Sequence, residues 1–133
     1  MATSKTRSGS VMLIAIFVIA LLSALVVGML RINTEEIQLM QNQINSSEAL
    51  AIAEAGLNDA FAQLRVNKDW KTGYTNKPFG LHKYTVNVSG KSPKLTIEST
   101  GTSAKGFVAK VTAEVAVAGG DPYTIGVSSL RIN

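Results

Sequence analysis

A chain of 133 residues has room for one small domain beside any long apolar segment. It contains no cysteine and one histidine, which excludes a disulfide framework and argues against a zinc site. The formal charge of +4 is unevenly placed: residues 31–64 carry one basic and five acidic groups, a net −4, and residues 65–133 carry ten basic and four acidic groups, a net +6. Such a basic half can attract nucleic acid or an anionic surface, but its lysines are scattered, which favours a solvated surface over a dedicated anion site.

The first nine residues, MATSKTRSG, form a short basic leader with Lys5 and Arg7. Residues 11–30 (VMLIAIFVIALLSALVVGML) follow without a charge, and thirteen of these twenty are Leu, Ile, Val or Phe. As a helix the run would span roughly 30 Å, the thickness of a bilayer core. Its side chains favour insertion by at most about 4 to 8 kcal/mol. Arg31 follows the run, then Glu35 and Glu36. The leader's positive bias predicts a cytoplasmic amino terminus and an extracytoplasmic remainder.

From Arg31 to Leu64 the chain is rich in Ala, Gln, Glu and Leu, all good helix formers, and holds no proline. Leu50, Ala53, Leu57, Ala60 and Leu64 repeat at three and four with Phe61 beside them, an apolar seam expected to pack on a domain. Ile37, Met40 and Ile44 make a thinner stripe before it. One helix is therefore predicted from about Val11 to about Arg65, with Asn67 as its stop. Gly56 interrupts the Ala-rich turn at about 1 kcal/mol relative to Ala. Among so many alanines it reads as a point of close approach by another element.

Residues 67–82 (NKDWKTGYTNKPFGLH) lack a period and read as a loop anchored by Trp70, Tyr74 and Phe79. Then the period becomes two. Alternating runs start at Tyr84, Leu95, Phe107 and Tyr123, with a bulge expected at Ser128-Ser129. Short Gly- and Pro-bearing turns separate them, which predicts an antiparallel meander of about four strands with one face buried. The expected fold class is α+β: a long N-terminal helix whose end packs on a small antiparallel sheet. The expected organisation is a leader at 1–9, a long helix at 10–65 with its membrane part at 11–30, and a β head at 66–133.

No P-loop, dinucleotide-binding glycine pattern or G-x-S-x-G elbow occurs. Asp69 and Asp121 could join carbonyls around a calcium ion, but no EF-hand loop surrounds them. No catalytic constellation and no cofactor is expected.

The sequence Lys5-Thr6-Arg7-Ser8-Gly9, followed by Ser10 and the apolar run, resembles a class III leader, the signal of type IV pilins and pseudopilins. In that family a prepilin peptidase cuts after the leader glycine, and the apolar helix remains as membrane anchor and filament core. The resemblance implies a cut between Gly9 and Ser10 and methylation of the new Ser10 amine. It implies other pilin or pseudopilin subunits, prepilin peptidase and membrane lipid as partners. The stretch SSEALAIAEAGLNDAFAQL is similar to the alanine-rich segment of PilX-type minor pilins. Two positions depart from the usual pattern: Ser10 stands where most pilins have Phe, and Ile14 where most have Glu. An apolar residue at that fifth position is similar to PilX-type proteins and to the minor pseudopilin K of type II secretion. The expected role is assembly or initiation of a type IV filament or secretion pseudopilus.

Two other readings fit the first thirty residues. An uncleaved single-pass anchor carrying an extracytoplasmic binding domain has the same composition. A secretory signal peptide would use Val26-Val27-Gly28 as its cleavage site.

Overall fold

The structure is a computed structural model that describes residues 4–133, with side chains from Ser8 onward. It contains one helix, α1 (Ser4–Val66), and five strands: β1 (Tyr74–Phe79), β2 (His82–Lys91), β3 (Lys94–Thr102), β4 (Val108–Ala118) and β5 (Thr124–Ile132). The strands form one antiparallel sheet in the order β1-β2-β3-β4-β5, so the fold is α+β, as the change of period from 3.6 to 2 predicts. The chain divides into two compact units, Met1–Gln41 and Asn42–Asn133.

In the first unit, α1 is helical from Ser4, so the helix begins within the leader rather than near Val11. Ser23 donates its hydroxyl to the Ile19 carbonyl at 2.8 Å, and Thr34 donates to the Leu30 carbonyl at 2.9 Å. Each hydroxyl is thus satisfied one turn back on its own helix.

In the second unit the last part of α1 packs on the sheet. Ala49, Ile52, Ala53, Leu57, Ala60 and Leu64 are buried, and half-buried Leu50 and Phe61 pack against the same core. The sheet presents Tyr84 and Val86 from β2, Leu95, Ile97 and Ser99 from β3, and Ala109, Val111, Ala113, Val115 and Val117 from β4. These follow the period of two along each strand, and the register places Val86 opposite Ser99 and Ile97 opposite Ala113.

Two glycines set how near the helix comes to the sheet. A Cβ on Gly101 of β3 would lie 2.3 Å from the Ala49 carbonyl oxygen and 2.4 Å from the Ala53 nitrogen. A Cβ on Gly56 would lie 2.4 Å from Ser99 Oγ and 2.8 Å from the Tyr84 ring. Ala49, Ala53 and Ala60 continue this small-residue seam, as the alanines around Gly56 lead one to expect.

The helix ends at Val66. Asn67 Oδ1 accepts the Asp69 N–H at 3.0 Å and the Asn67 carbonyl accepts the Trp70 N–H, which turns the chain out of the helix.

The sheet has five strands where the sequence predicts about four. The extra one, β1, lies inside 67–82, the stretch expected to be a loop. Its sequence YTNKPF has no alternation. Asn76 adopts a left-handed φ of 48°, and the register slips between Tyr74 and Lys77. The strand pairs with β2 despite lacking an apolar pattern of its own. The bulge expected in β5 is present: Glu114 pairs with Ser129 and Val115 with Val127, which leaves Ser128 as the extra residue.

Candidate functional site

Two regions carry the chemistry that a function could use: the apolar segment of the first unit, and the polar contacts that fasten strands to α1 in the second.

Residues 11–30 are all exposed, and none of them is covered by another part of the protein. Four consecutive side chains, Val11, Met12, Leu13 and Ile14, are at least 60% exposed, so the apolar surface runs round the whole helix and not along one stripe. An apolar surface of this extent is stable only against lipid or other apolar helices. By length and composition α1 can cross a membrane, and it lies near the amino terminus. Ser23, the one hydroxyl residue within 11–30, is internally hydrogen-bonded, as a lipid environment requires.

Gly9 and Ser10 lie on α1 and are exposed. A Cβ on Gly9 would meet nothing within 4 Å, so packing places no demand for glycine there. Within a helix the glycine costs about 1 kcal/mol relative to Ala. The same open surroundings hold at Gly28, in the alternative cleavage segment. The side chains of Lys5 and Arg7, the leader charges, lie outside the described residues. The packing residues Ala53, Leu57 and Leu64 are brought together with the sheet, while Leu50 and Phe61 stand at the margin of that contact.

In the second unit, Asp59 of α1 holds β1. Lys77 Nζ lies 2.5 Å from Asp59 Oδ2, and the Tyr84 hydroxyl donates to the same oxygen at 2.6 Å. The Lys77 ammonium also sits 4.1 Å from the Tyr74 ring centroid, a cation–π contact. Tyr74 is flanked by Trp70, with centroids 5.3 Å apart, and by Tyr84 at 6.1 Å. Burial alone would push the Asp59 carboxyl up, but the bonds from Lys77 and Tyr84 outweigh it and leave the carboxyl below the usual range. The bond to Asp59 raises the Lys77 ammonium well above the ordinary lysine value. Burial and the bond to Asp59 raise the Tyr84 hydroxyl. Sequence reasoning picked out Trp70, Tyr74 and Phe79 as anchors; Trp70 and Tyr74 pack against the core but Phe79 is exposed, and Asp59 and Lys77 were missed. The available signal was one acid, Asp59, beside the apolar seam.

His82 ties three segments together. Its Nδ1 accepts the Ala104 N–H at 2.9 Å, which puts the ring proton on Nε2, 3.1 Å from Glu48 Oε1 of α1. The histidine is thus a structural link between α1, the start of β2 and the turn after β3. No group of three or more His, Asp or Glu side chains that could hold a metal ion occurs among the described residues.

No protein-family model, curated protein or solved structure matches this chain.

Proposed function

We propose that this chain is a minor pilin- or pseudopilin-like subunit of a type IV filament or type II secretion system, anchored by residues 11–30 and acting in filament assembly or initiation. The observation that carries the reading is the exposed apolar helix at 11–30, whose apolar side chains face outward all round it and call for a lipid or helical partner. Directly before it stands Gly9, a helical glycine with no packing role, at the end of a basic leader. That is where the class III leader it resembles is cut. The α+β head supports the same reading because a small sheet packed on the end of a long amino-terminal helix is what the resemblance implies.

In this proposal the amino terminus is cytoplasmic, the helix is a single pass through the inner membrane, and residues 31–133 are extracytoplasmic. Prepilin peptidase removes residues 1–9, and the Ser10 amine becomes methylated. The subunit then joins others through its apolar helix and displays the head.

Intact-mass measurement of the membrane-associated protein, isolated from cells that contain prepilin peptidase, tests the proposal. The expected product begins at methylated Ser10. A start at Met1 or Ala2 would favour the uncleaved single-pass anchor, and a start after Gly28 would favour a secreted domain.

A further inference from the structure

His82 is the one histidine of the chain, and its half-buried ring stands where three segments meet. α1 brings the Glu48 carboxylate to Nε2, and the turn after β3 brings the Ala104 N–H to Nδ1. The ring itself is carried by the first residue of β2, which pairs with Phe79 of β1. The two contacts make opposite demands on it. Nδ1 accepts a hydrogen bond only in the neutral imidazole, because the protonated ring carries a hydrogen on both nitrogens. The contact with Glu48 uses the hydrogen on Nε2, which both forms have, and it gains charge attraction in the protonated one.

The turn at 103–107 is otherwise bonded to itself. Ser103 N–H donates to the Phe107 carbonyl at 2.8 Å, Gly106 N–H to the Ser103 carbonyl at 3.0 Å, and Phe107 N–H to Ser103 Oγ at 3.1 Å. Among the described residues, the bond from Ala104 to His82 is the one hydrogen bond that joins this turn to another segment. Ala104, Lys105 and Gly106 are exposed, so the turn has room to move as a unit. Beside it lies a cleft of about 390 Å³, lined by Leu81 and Lys83 on one side and by Ser103, Ala104 and Gly106 on the other.

From this geometry we infer that His82 is an acid-operated latch on the turn. In the neutral ring Nδ1 holds the Ala104 N–H, and the turn lies against β2. An imidazole takes up its second proton in mildly acid solution, and then an N–H faces an N–H and the bond is lost. The ring stays with Glu48, so the turn is what moves and the cleft widens. The charges around the ring favour this division. Glu48 of α1 attracts the protonated ring, while Lys83 of β2 lines the cleft and Lys105 stands in the turn, both of like charge. On β1 the Lys77 ammonium is paired with Asp59, and β3 ends in uncharged Thr102. The inference uses only the second unit and stands apart from the filament reading.

Nuclear magnetic resonance of the full-length protein in detergent micelles tests this, and a single histidine makes the ring signals unambiguous. At about pH 8 the ring should be protonated on Nε2 alone and show a nitrogen–nitrogen coupling across the bond from Ala104 to Nδ1. At about pH 5 that coupling and the ring's Overhauser contacts with Ala104 should be lost, while those with Glu48 persist. The Ala104 amide signal should move with the same midpoint as the ring. His82→Asn keeps an acceptor in the place of Nδ1 but takes up no proton, so its Ala104 signal should stay constant over this range. Glu48→Gln removes the attracting charge, and it should shift the ring and Ala104 transitions together to lower pH; it serves alone if His82→Asn fails to fold. A ring protonated on Nδ1 at the higher pH would overturn the inference. So would an Ala104 amide that does not follow the ring, or one that moves equally in His82→Asn.

Discussion

Gly56 of α1 and Ser99 of β3 approach so closely that a Cβ at position 56 would stand 2.4 Å from the serine hydroxyl oxygen. That hydroxyl is buried and has no hydrogen-bond partner among the described residues. A buried hydroxyl without a partner costs about 1–3 kcal/mol. Ser99→Ala should therefore leave stability unchanged or raise it by about 1 kcal/mol. Gly56→Ala should lower it despite the helix propensity it adds, because both Ser99 and the Tyr84 ring stand in the way. Gly101→Ala should cost more, about 3 kcal/mol, since the obstructing atoms are backbone atoms of α1. Urea unfolding of a fragment from Glu35 onward measures all three. A Gly101→Ala protein as stable as the parent would refute the close approach.

Leu57 is buried in the same seam, in the core shared by helix and sheet. Leu57→Ala should cost about 2–5 kcal/mol, a large share of what a small cysteine-free domain has. The thermal midpoint of the same fragment should fall by many degrees. An unchanged midpoint would place Leu57 on the surface.

The Asp59–Lys77–Tyr84 contact predicts a pH dependence. Asp59 titrates below its ordinary 3.8 in the folded protein, so its stabilisation is complete above that value and is lost as pH falls through the lowered one. Lys77 is raised above its ordinary 10.5, so its share is complete below 10.5 and is lost at strongly alkaline pH. Lys77 is well exposed, and solvent screening keeps the pair's worth to about 1 kcal/mol. Asp59→Asn should be less stable than the parent by that amount at pH 7, with the gap closing in acid below 3.8. A gap of equal size at pH 7 and pH 2 would show that the carboxylate charge is not what holds β1.

If the chain is processed as proposed above, cleavage should depend on Gly9. A side chain there would obstruct the close backbone approach that a protease cleft requires, while the fold itself has room for one. Gly9→Val should remain in the membrane at full precursor mass when prepilin peptidase is present. Maturation to a Ser10 terminus in that variant would refute the class III assignment.

Ile14 is 60% exposed on the apolar helix. Under the proposed function, an apolar residue here needs no charged partner in the bilayer, which would let the subunit begin a filament or cap its tip. Few copies per filament are expected. Ile14→Glu adds a carboxylate that must pair with a neighbour's amine or become neutral, and it should move the protein into the shaft or stall it in the membrane. Counting copies in purified filaments against the major subunit decides this. A parent protein that forms the bulk of the filament would refute the role assigned to Ile14.

The sequence by itself determined the long helix, its exposed apolar first part, four of the strands and the bulge at Ser128. Each is a local property: a run of apolar residues, a period of 3.6 or 2, or a turn residue between runs. Gly56 was also legible as a close approach, because a glycine among alanines has few other uses. Only the tertiary structure decided the rest. β1 pairs with β2 and is tied to α1 where Asp59, Lys77 and Tyr84, far apart in sequence, meet at one carboxylate oxygen, and no periodicity in YTNKPF announces that. Ala49 and Ile52 proved more deeply buried than Leu50, and they lie on the face of the helix that comes up against Gly101 of β3, a contact the seam's own spacing does not announce. The exposure of β5's apolar row is likewise a tertiary matter. Alternation gives the face each side chain takes, but α1 comes closest to β2 and β3, and Val127, Leu130 and Ile132 of β5 stay exposed.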